Sequence, residues 1–140
     1  MKGDPLNSLT VTERPLPLPR RRKGPAFPIE PLIPGPRRMI ACARDMAEVL
    51  ERDPALWPGL TTCVTDTDGQ SIVHYAAARN SDHASCFFGP DGVVARWKAE
   101  LDEPKESRRE RNQGRERVVT LRGAHSGYPV TVLFTVLEGS

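Results

Sequence analysis

Aromatic residues and long apolar runs are both scarce in this chain of 140 residues. Aromatic residues make up 6% of it and hydrophobic residues 38%, which is little for a domain that fills the whole length. No run approaches the roughly 18 apolar residues of a membrane-spanning helix, and the Met1 end lacks the apolar stretch of a secretion signal. We therefore expect no membrane partner, no secretion by a signal peptide, and a part of the chain that buries nothing.

Cysteine is rare as well. The three cysteines, Cys42, Cys63 and Cys86, are odd in number and widely spaced. This usage argues against a disulfide framework and is typical of free thiols in a reducing compartment. We expect a cytoplasmic protein, or a component of a particle that assembles inside the cell.

Proline and positive charge are concentrated in residues 1–38. Nine of the 14 prolines lie there, and 8 basic against 3 acidic residues give this segment a charge of +5, whereas 12 bases and 15 acids give residues 39–140 a charge of −3. So unequal a division is typical of an extended arm attached to a folded body. We therefore predict an arm over residues 1–38 and a single globular domain over residues 39–140.

The segment GPAFPIEPLIPGP, residues 24–36, has proline at every third position from Pro25 to Pro34. Proline fixes φ and removes a backbone donor, which leaves polyproline II as the favoured conformation. The apolar residues between the prolines favour docking onto the chain's own body, a second copy or another protein, and a disordered linker is the alternative. The predicted docking residues are Pro25, Phe27, Pro28, Ile29, Pro31, Leu32, Ile33 and Pro34.

Two arginine-rich runs are candidate contacts for nucleic acid or another anionic partner. Glutamates interleave with the second run, and the pI of about 8.6 is below the values above 9 that are typical of dedicated nucleic-acid-binding domains. A solvated face or a polar interface rim is the alternative. The candidates are Arg20, Arg21, Arg22 and Lys23 in the arm, and Arg108, Arg109, Arg111 and Arg115 in the second run.

The run RRMIACARDMAEVLERDP, residues 37–54, predicts an amphipathic helix. Its apolar residues recur at helical spacing, and Pro36 and Pro54 bound it. The face expected to cover a sheet consists of Met39, Ala43, Met46 and Leu50.

Hairpins are predicted for most of the remainder. Their turns are placed at Asp68-Gly69, Pro90-Asp91-Gly92 and Ser126-Gly127, because such pairs and triplets adopt the positive φ of hairpin turns. The first turn sets Cys63 opposite His74 in the predicted register. The predicted fold is α+β, with the arm, one helix and an antiparallel sheet of about six strands.

Three further segments carry structural predictions. Residues 93–101 alternate as a strand, and a short helix capped by Asp91 is the alternative. Residues 102–116 have no apolar side chain beyond Pro104 and are predicted to form an exposed loop. Residues 130–137 are apolar on both faces, which predicts a central strand with a cover on each side.

No motif for metal binding or catalysis stands out. The weak metal candidates are Cys63, His74, His83 and Cys86, which lack the short paired spacing of closed zinc sites and could equally pack as structural residues. GAHSG, residues 123–127, places serine one position too late for a nucleophile elbow, and DTDG, residues 66–69, lacks the ligands of a calcium loop. We predict no cofactor, no metal and no catalytic residue.

These observations favour a non-enzymatic protein that acts through protein–protein contacts. An accessory subunit, a coat or assembly component, and a protein inhibitor all fit an apolar arm beside a small domain, with the arm and one sheet face as docking surfaces. The alternative is a nucleic-acid-associated protein that uses the two arginine-rich runs. A small enzyme or metal protein is the third and least supported hypothesis.

Overall fold

The computed structural model describes residues 35–138, which lie within the second of the two units into which the chain divides, residues 34–140. The predicted docking residues between Pro25 and Pro34, and the basic cluster from Arg20 to Lys23, lie outside the described residues. The predictions for them therefore stay predictions.

The described residues form three helices, a 3-10 turn and five strands. The helices are α1 (Gly35–Arg52), α2 (Asp82–Phe87) and α3 (Val93–Glu100), and the 3-10 turn spans Pro54–Leu56. The strands are β1 (Leu60–Thr65), β2 (Ser71–Ala78), β3 (Asp102–Arg111), β4 (Glu116–His125) and β5 (Tyr128–Leu137). The predicted α+β class is confirmed.

The five strands form one mixed sheet in the order β1-β2-β5-β4-β3. The predicted antiparallel sheet of about six strands is confirmed in part: three of the four pairings are antiparallel, but β2 and β5 are parallel neighbours, and residues 35–138 contain five strands. The predicted central position of residues 130–137 is confirmed, since β5 lies third of five, while the predicted cover on its second side stays a prediction. The final predicted turn is also confirmed: Ser126 and Gly127 join β4 to β5 at positive φ values of 54° and 83°.

All three helices contribute to a core on one side of this sheet, which we call the inner face. Its strand residues are Val73, Tyr75, Val119, Leu121, Val132 and Phe134, and they cluster with helix residues that include Met46, Val49, Phe87 and Trp97. Tyr75 stacks on Phe134 with ring centroids 5.1 Å apart, and Phe87 meets both rings edge-on. Most of the chain's few aromatic residues are therefore gathered in one place, which compensates for their scarcity.

Helix α1 begins at Gly35, so residues 35–38, which the sequence assigned to the arm, belong to the helix. Pro36 is tolerated because the first turn of a helix does not need its N–H. The residues buried against the sheet are Cys42, Met46 and Val49, whereas Ala43, predicted to face the sheet, is exposed. The apolar residues of this segment fit two helix faces that differ by one residue. The packing of the larger side chains selects the face that contains Met46 and Val49.

The β1–β2 hairpin forms as predicted, but its predicted register is wrong by one residue. Cys63 lies opposite Val73 and not opposite His74. Three residues, not two, connect Asp66 and Gln70. These two residues are paired, because the backbone N–H of Asp66 donates a hydrogen bond of 3.0 Å to the carbonyl oxygen of Gln70. The Asp66 carboxylate accepts two backbone N–H groups within this turn, and this local bond stabilises the longer connection.

Residues 82–87 and 93–100 form helices where the sequence predicted strands around Pro90-Asp91-Gly92. The Ser81 hydroxyl caps α2 by accepting the N–H of Ala84 at 3.1 Å, and Gly92, not Asp91, is the N-cap of α3. The apolar residues from Val93 onward fit both the two-residue period of a strand and the period of about 3.6 residues of a helix. In the helix, Trp97 lies in the core. Tertiary packing therefore selected the alternative that local alternation did not favour.

Residues 102–116 were predicted as an exposed loop, but residues 102–111 form the edge strand β3. Every side chain of β3 is exposed except that of Glu106, which is partly buried. The strand needs no apolar residue because its pairing with β4 supplies the backbone hydrogen bonds. Charged residues at a sheet edge also discourage pairing with another chain.

Candidate interaction surface

The second side of the sheet, which we call the outer face, is not covered by any helix in residues 35–138. The alternation of strand side chains and the observed registers assign its members. They include Val64 on β1, Ile72, His74 and Ala76 on β2, Thr131, Leu133, Thr135 and Leu137 on β5, Val118, Thr120 and Arg122 on β4, and Lys105, Ser107 and Arg109 on β3.

Large apolar side chains remain exposed on this outer face. Val64 is 55% exposed, Ile72 is 42% exposed and Leu137 is 41% exposed. By contrast, Val118, Thr120 and Thr135 are buried. A sheet face that is fully solvated is usually polar, and the exposed apolar residues of the outer face depart from that composition.

A histidine lies fixed near the middle of the outer face. His74 Nδ1 is 3.2 Å from the hydroxyl of Thr61, and His74 Nε2 is 3.0 Å from the hydroxyl of Thr135. Because a hydroxyl can donate or accept, these two contacts satisfy a neutral imidazole. The ring is therefore held across β1, β2 and β5 as part of the surface.

Basic side chains border the outer face on β3 and β4. Lys105 lies directly opposite Arg122, and Arg109 lies four residues further along β3. All three are exposed, and within residues 35–138 none of them forms an ion pair. Like charges placed opposite each other on neighbouring strands repel unless an anion lies between them.

The arginines predicted to contact an anion differ in their surroundings. Arg108 pairs with Glu106 at 2.6 Å and Arg111 pairs with Glu116 at 2.9 Å. Arg115 lines an open depression beside the β3–β4 turn, together with Glu116 and Glu138. Of the candidates in the second arginine-rich run, Arg109 belongs to the basic border, whereas Lys105 and Arg122, which complete the border, were not predicted.

The weak metal candidates are not brought together. The observed register places Cys63 on the inner side of the sheet and His74 on the outer side, while His83 and Cys86 lie on α2. In residues 35–138, no group of three or more His, Cys, Asp or Glu side chains is arranged to hold a metal ion.

A polar cluster around His125 was missed from the sequence. His125 Nδ1 is 2.5 Å from Asp45, and its Nε2 is 3.2 Å from Glu100. Ser126 donates to Asp45 at 3.2 Å, and Arg52 donates to Glu100 at 2.6 Å. The partners are 25 and 80 residues away from His125, so no local pattern could reveal them.

This cluster differs from a Ser–His–acid catalytic arrangement. In that arrangement the serine bonds to one ring nitrogen and the acid to the other, but here carboxylates face both nitrogens of His125. An imidazolium donates to both carboxylates, whereas a neutral ring can donate to one only. The cluster therefore ties α1, α3 and the β4–β5 hairpin together through side-chain hydrogen bonds.

Comparison with known proteins adds no relative: no protein-family model and no curated protein matches the chain. Among the helices of residues 35–138, none combines the length and the apolar character that crossing a membrane requires. The function is therefore argued from the surfaces described above.

Proposed function

We propose that this chain is a protein-interaction or assembly protein that binds a partner protein through the outer face of its sheet. The observation that carries the proposal is the exposure of Val64, Ile72 and Leu137 on the sheet face that no helix of residues 35–138 covers. Val64 and Ile72 lie opposite each other on neighbouring strands, and exposed apolar side chains grouped in this way are typical of binding sites. The predicted docking of the arm belongs to the same proposal, and an accessory subunit, a coat component or an inhibitor are the roles that fit it.

The experiment compares two isoleucines with similar exposure on opposite sides of the molecule. Ile72 lies on the outer face, and Ile40, 47% exposed, lies on α1. The tagged full chain captures partners from its host, mass spectrometry identifies them, and the purified partner is then titrated. We expect Ile72→Lys to weaken binding at least about tenfold and Ile40→Lys to leave it unchanged. Equal affinity of the Ile72→Lys variant and the unchanged chain would contradict the proposal.

The arm is tested separately. A deletion of residues 1–33 leaves helix α1 whole, whereas a deletion through residue 38 would remove its first turn, including the Arg38 guanidinium that lies 5.1 Å from the ring centre of Tyr128. We expect the shorter deletion to keep the fold and to weaken partner binding. Unchanged affinity would remove the arm from the proposed interface.

The second candidate function is nucleic-acid association, favoured by the unpaired Lys105, Arg122 and Arg109 beside the outer face. Binding of this kind falls steeply with salt because each phosphate contact releases counterions. Fluorescence anisotropy with labelled RNA and DNA at low salt would detect it. Lys105→Ala with Arg122→Ala should abolish the signal, while Arg108→Ala, which removes an ion-paired arginine, should not. No signal at low salt would exclude this candidate.

A further inference from the structure

The two edges of the sheet are built in opposite ways. The β3 edge, DEPKESRRER, carries charges at most positions and Pro104, which is how a sheet edge is protected against pairing. The β1 edge, LTTCVT, carries no charge and no proline over its six residues. It consists of threonine, valine, leucine and cysteine, most of which favour strands. Only β1 is therefore an unprotected edge in the described part of the chain.

The backbone of β1 offers its free groups in an orderly pattern. Asp66 and Gln70 form a hydrogen-bonded pair, and in an antiparallel ladder such pairs alternate with non-bonded ones. The backbone groups of Val64 and Thr62 therefore point to β2. The backbone N–H and C=O groups of Cys63 and Thr65 point away from the sheet, where they could form hydrogen bonds with an added strand.

Exposed apolar side chains also accumulate at this edge. Val64 lies on β1, Ile72 lies opposite it on β2, and Trp57, 57% exposed, lies three residues before β1. Tryptophan and aliphatic side chains at the border of an uncharged edge are typical of the centre of an interface.

We propose that β1 pairs antiparallel with β1 of a second copy of this chain, about a two-fold axis at Cys63, to form a continuous ten-stranded sheet. An uncharged edge is complementary to another uncharged edge, and β1 is the edge of that kind in the described residues. The outward groups of Cys63 pair with their own symmetry mates in this register. The charged β3 edge cannot continue the sheet, so the assembly closes as a dimer. This proposal concerns the backbone edge of β1, whereas the proposed function concerns the outer face of the sheet.

Cysteine cross-linking of the full chain tests the register. In a hydrogen-bonded antiparallel pair the two Cα atoms lie about 5.5 Å apart, which is within the roughly 4.4–6.8 Å range that a disulfide requires. Cys42 is fully buried, so Cys63 and Cys86 are the thiols that can react between molecules. Because desolvation raises the pKa of the Cys63 thiol, the oxidation is run at about pH 9.

The expected result is a disulfide-linked dimer with the Cys86→Ser variant and none with the Cys63→Ser variant. Two Cys63 thiols lose two electrons and two protons to the added oxidant as the bond forms. Sedimentation should give twice the 15.5 kDa chain mass without oxidant. The Thr62→Lys variant should raise the dissociation constant of the dimer at least about tenfold, because a charge blocks the edge. The Thr67→Lys variant, in the turn, should leave this constant unchanged.

A monomer at every concentration, a larger open-ended assembly, or cross-linking that requires Cys86 would each overturn the proposal. A monomer whose β1 amides become protected only when an extended peptide is added would show that a different chain occupies the edge, and would overturn it too. Leu137 lies on the outer face but on β5, two strands away from the β1 edge, so a Leu137→Lys variant reports on the outer-face partner, and failure of one proposal is distinguishable from failure of the other.

Discussion

The indole N–H of Trp97 donates a hydrogen bond of 2.9 Å to the hydroxyl of Tyr75, and both side chains are fully buried. Tyr75 belongs to β2 and Trp97 to α3, so this bond joins the sheet to a helix at the centre of the core. Burial raises the pKa of the Tyr75 hydroxyl, which keeps that hydroxyl neutral. A buried donor of this kind is costly when its acceptor is removed.

We expect Tyr75→Phe to lower the free energy of unfolding by about 1–3 kcal/mol, because it leaves the Trp97 N–H without an acceptor. Urea denaturation followed by Trp fluorescence measures the effect. The control is Tyr128→Phe, which removes a hydroxyl from a partly buried tyrosine and should change the free energy by less than about 0.5 kcal/mol. Equal effects of the two substitutions would show that the buried bond adds nothing specific.

Two glycines near the start of α3 give a matched steric test. A Cβ added at Gly92 would lie 2.6 Å from the Phe87 carbonyl oxygen, whereas one added at Gly89 would meet nothing within 4 Å. The φ of Gly92 is −77°, so backbone strain does not enter the comparison. We expect Gly92→Ala to destabilise the fold by about 1–3 kcal/mol and Gly89→Ala to be nearly neutral, as measured by thermal unfolding. A stable Gly92→Ala variant would show that the loop can shift.

The pH dependence of stability should include a contribution from Glu106. Hydrogen bonds from Lys98 and Arg108 lower the pKa of its carboxyl, so the folded chain holds this proton less tightly than the unfolded chain. The stabilisation is therefore present above the ordinary glutamate pKa of about 4.3 and disappears as the pH falls through the lower value of the folded state.

The Glu106→Gln substitution should accordingly lower the free energy of unfolding at pH 7 and have little effect at pH 3. Chemical denaturation at the two pH values measures the difference. Glu110→Gln, an exposed glutamate of the same strand, serves as the control and should change little at either pH. A loss that is the same at both pH values would indicate a packing effect and not the ion pairs.

Removal of the His125 side chain tests the polar cluster. His125→Ala should lower the free energy of unfolding by about 1–2 kcal/mol, since the carboxylates of Asp45 and Glu100 would then lose the imidazole nitrogens that they contact. Hydrogen exchange should also rise at the β4–β5 turn. The control is His83→Ala at an exposed position of α2, and an effect no larger than that of the control would show that the cluster is not structural.

Local chemistry determined the features of this protein that depend on neighbouring residues. The position of the Asp-Gly turn (though not its length), the Ser-Gly turn, the helix that ends before Pro54 and the apolar β5 strand could be predicted, because turn chemistry and spacing specify them. The charge division between residues 1–38 and 39–140 is likewise a property of the sequence alone. The general α+β class follows from these elements.

The tertiary structure decided which strands are neighbours and what each edge exposes. Residues 93–101 fit two periods, and contact of Trp97 with Tyr75 selected the helix. The charged segment 102–111 has no apolar signal, and it became a strand because β4 offered it a ladder of backbone bonds. The His125 cluster and the Lys105–Arg122 pair join residues that are distant in sequence. The β1 edge is exposed because no further strand of residues 35–138 pairs with it. Such relations arise from long-range packing, which a local pattern does not encode.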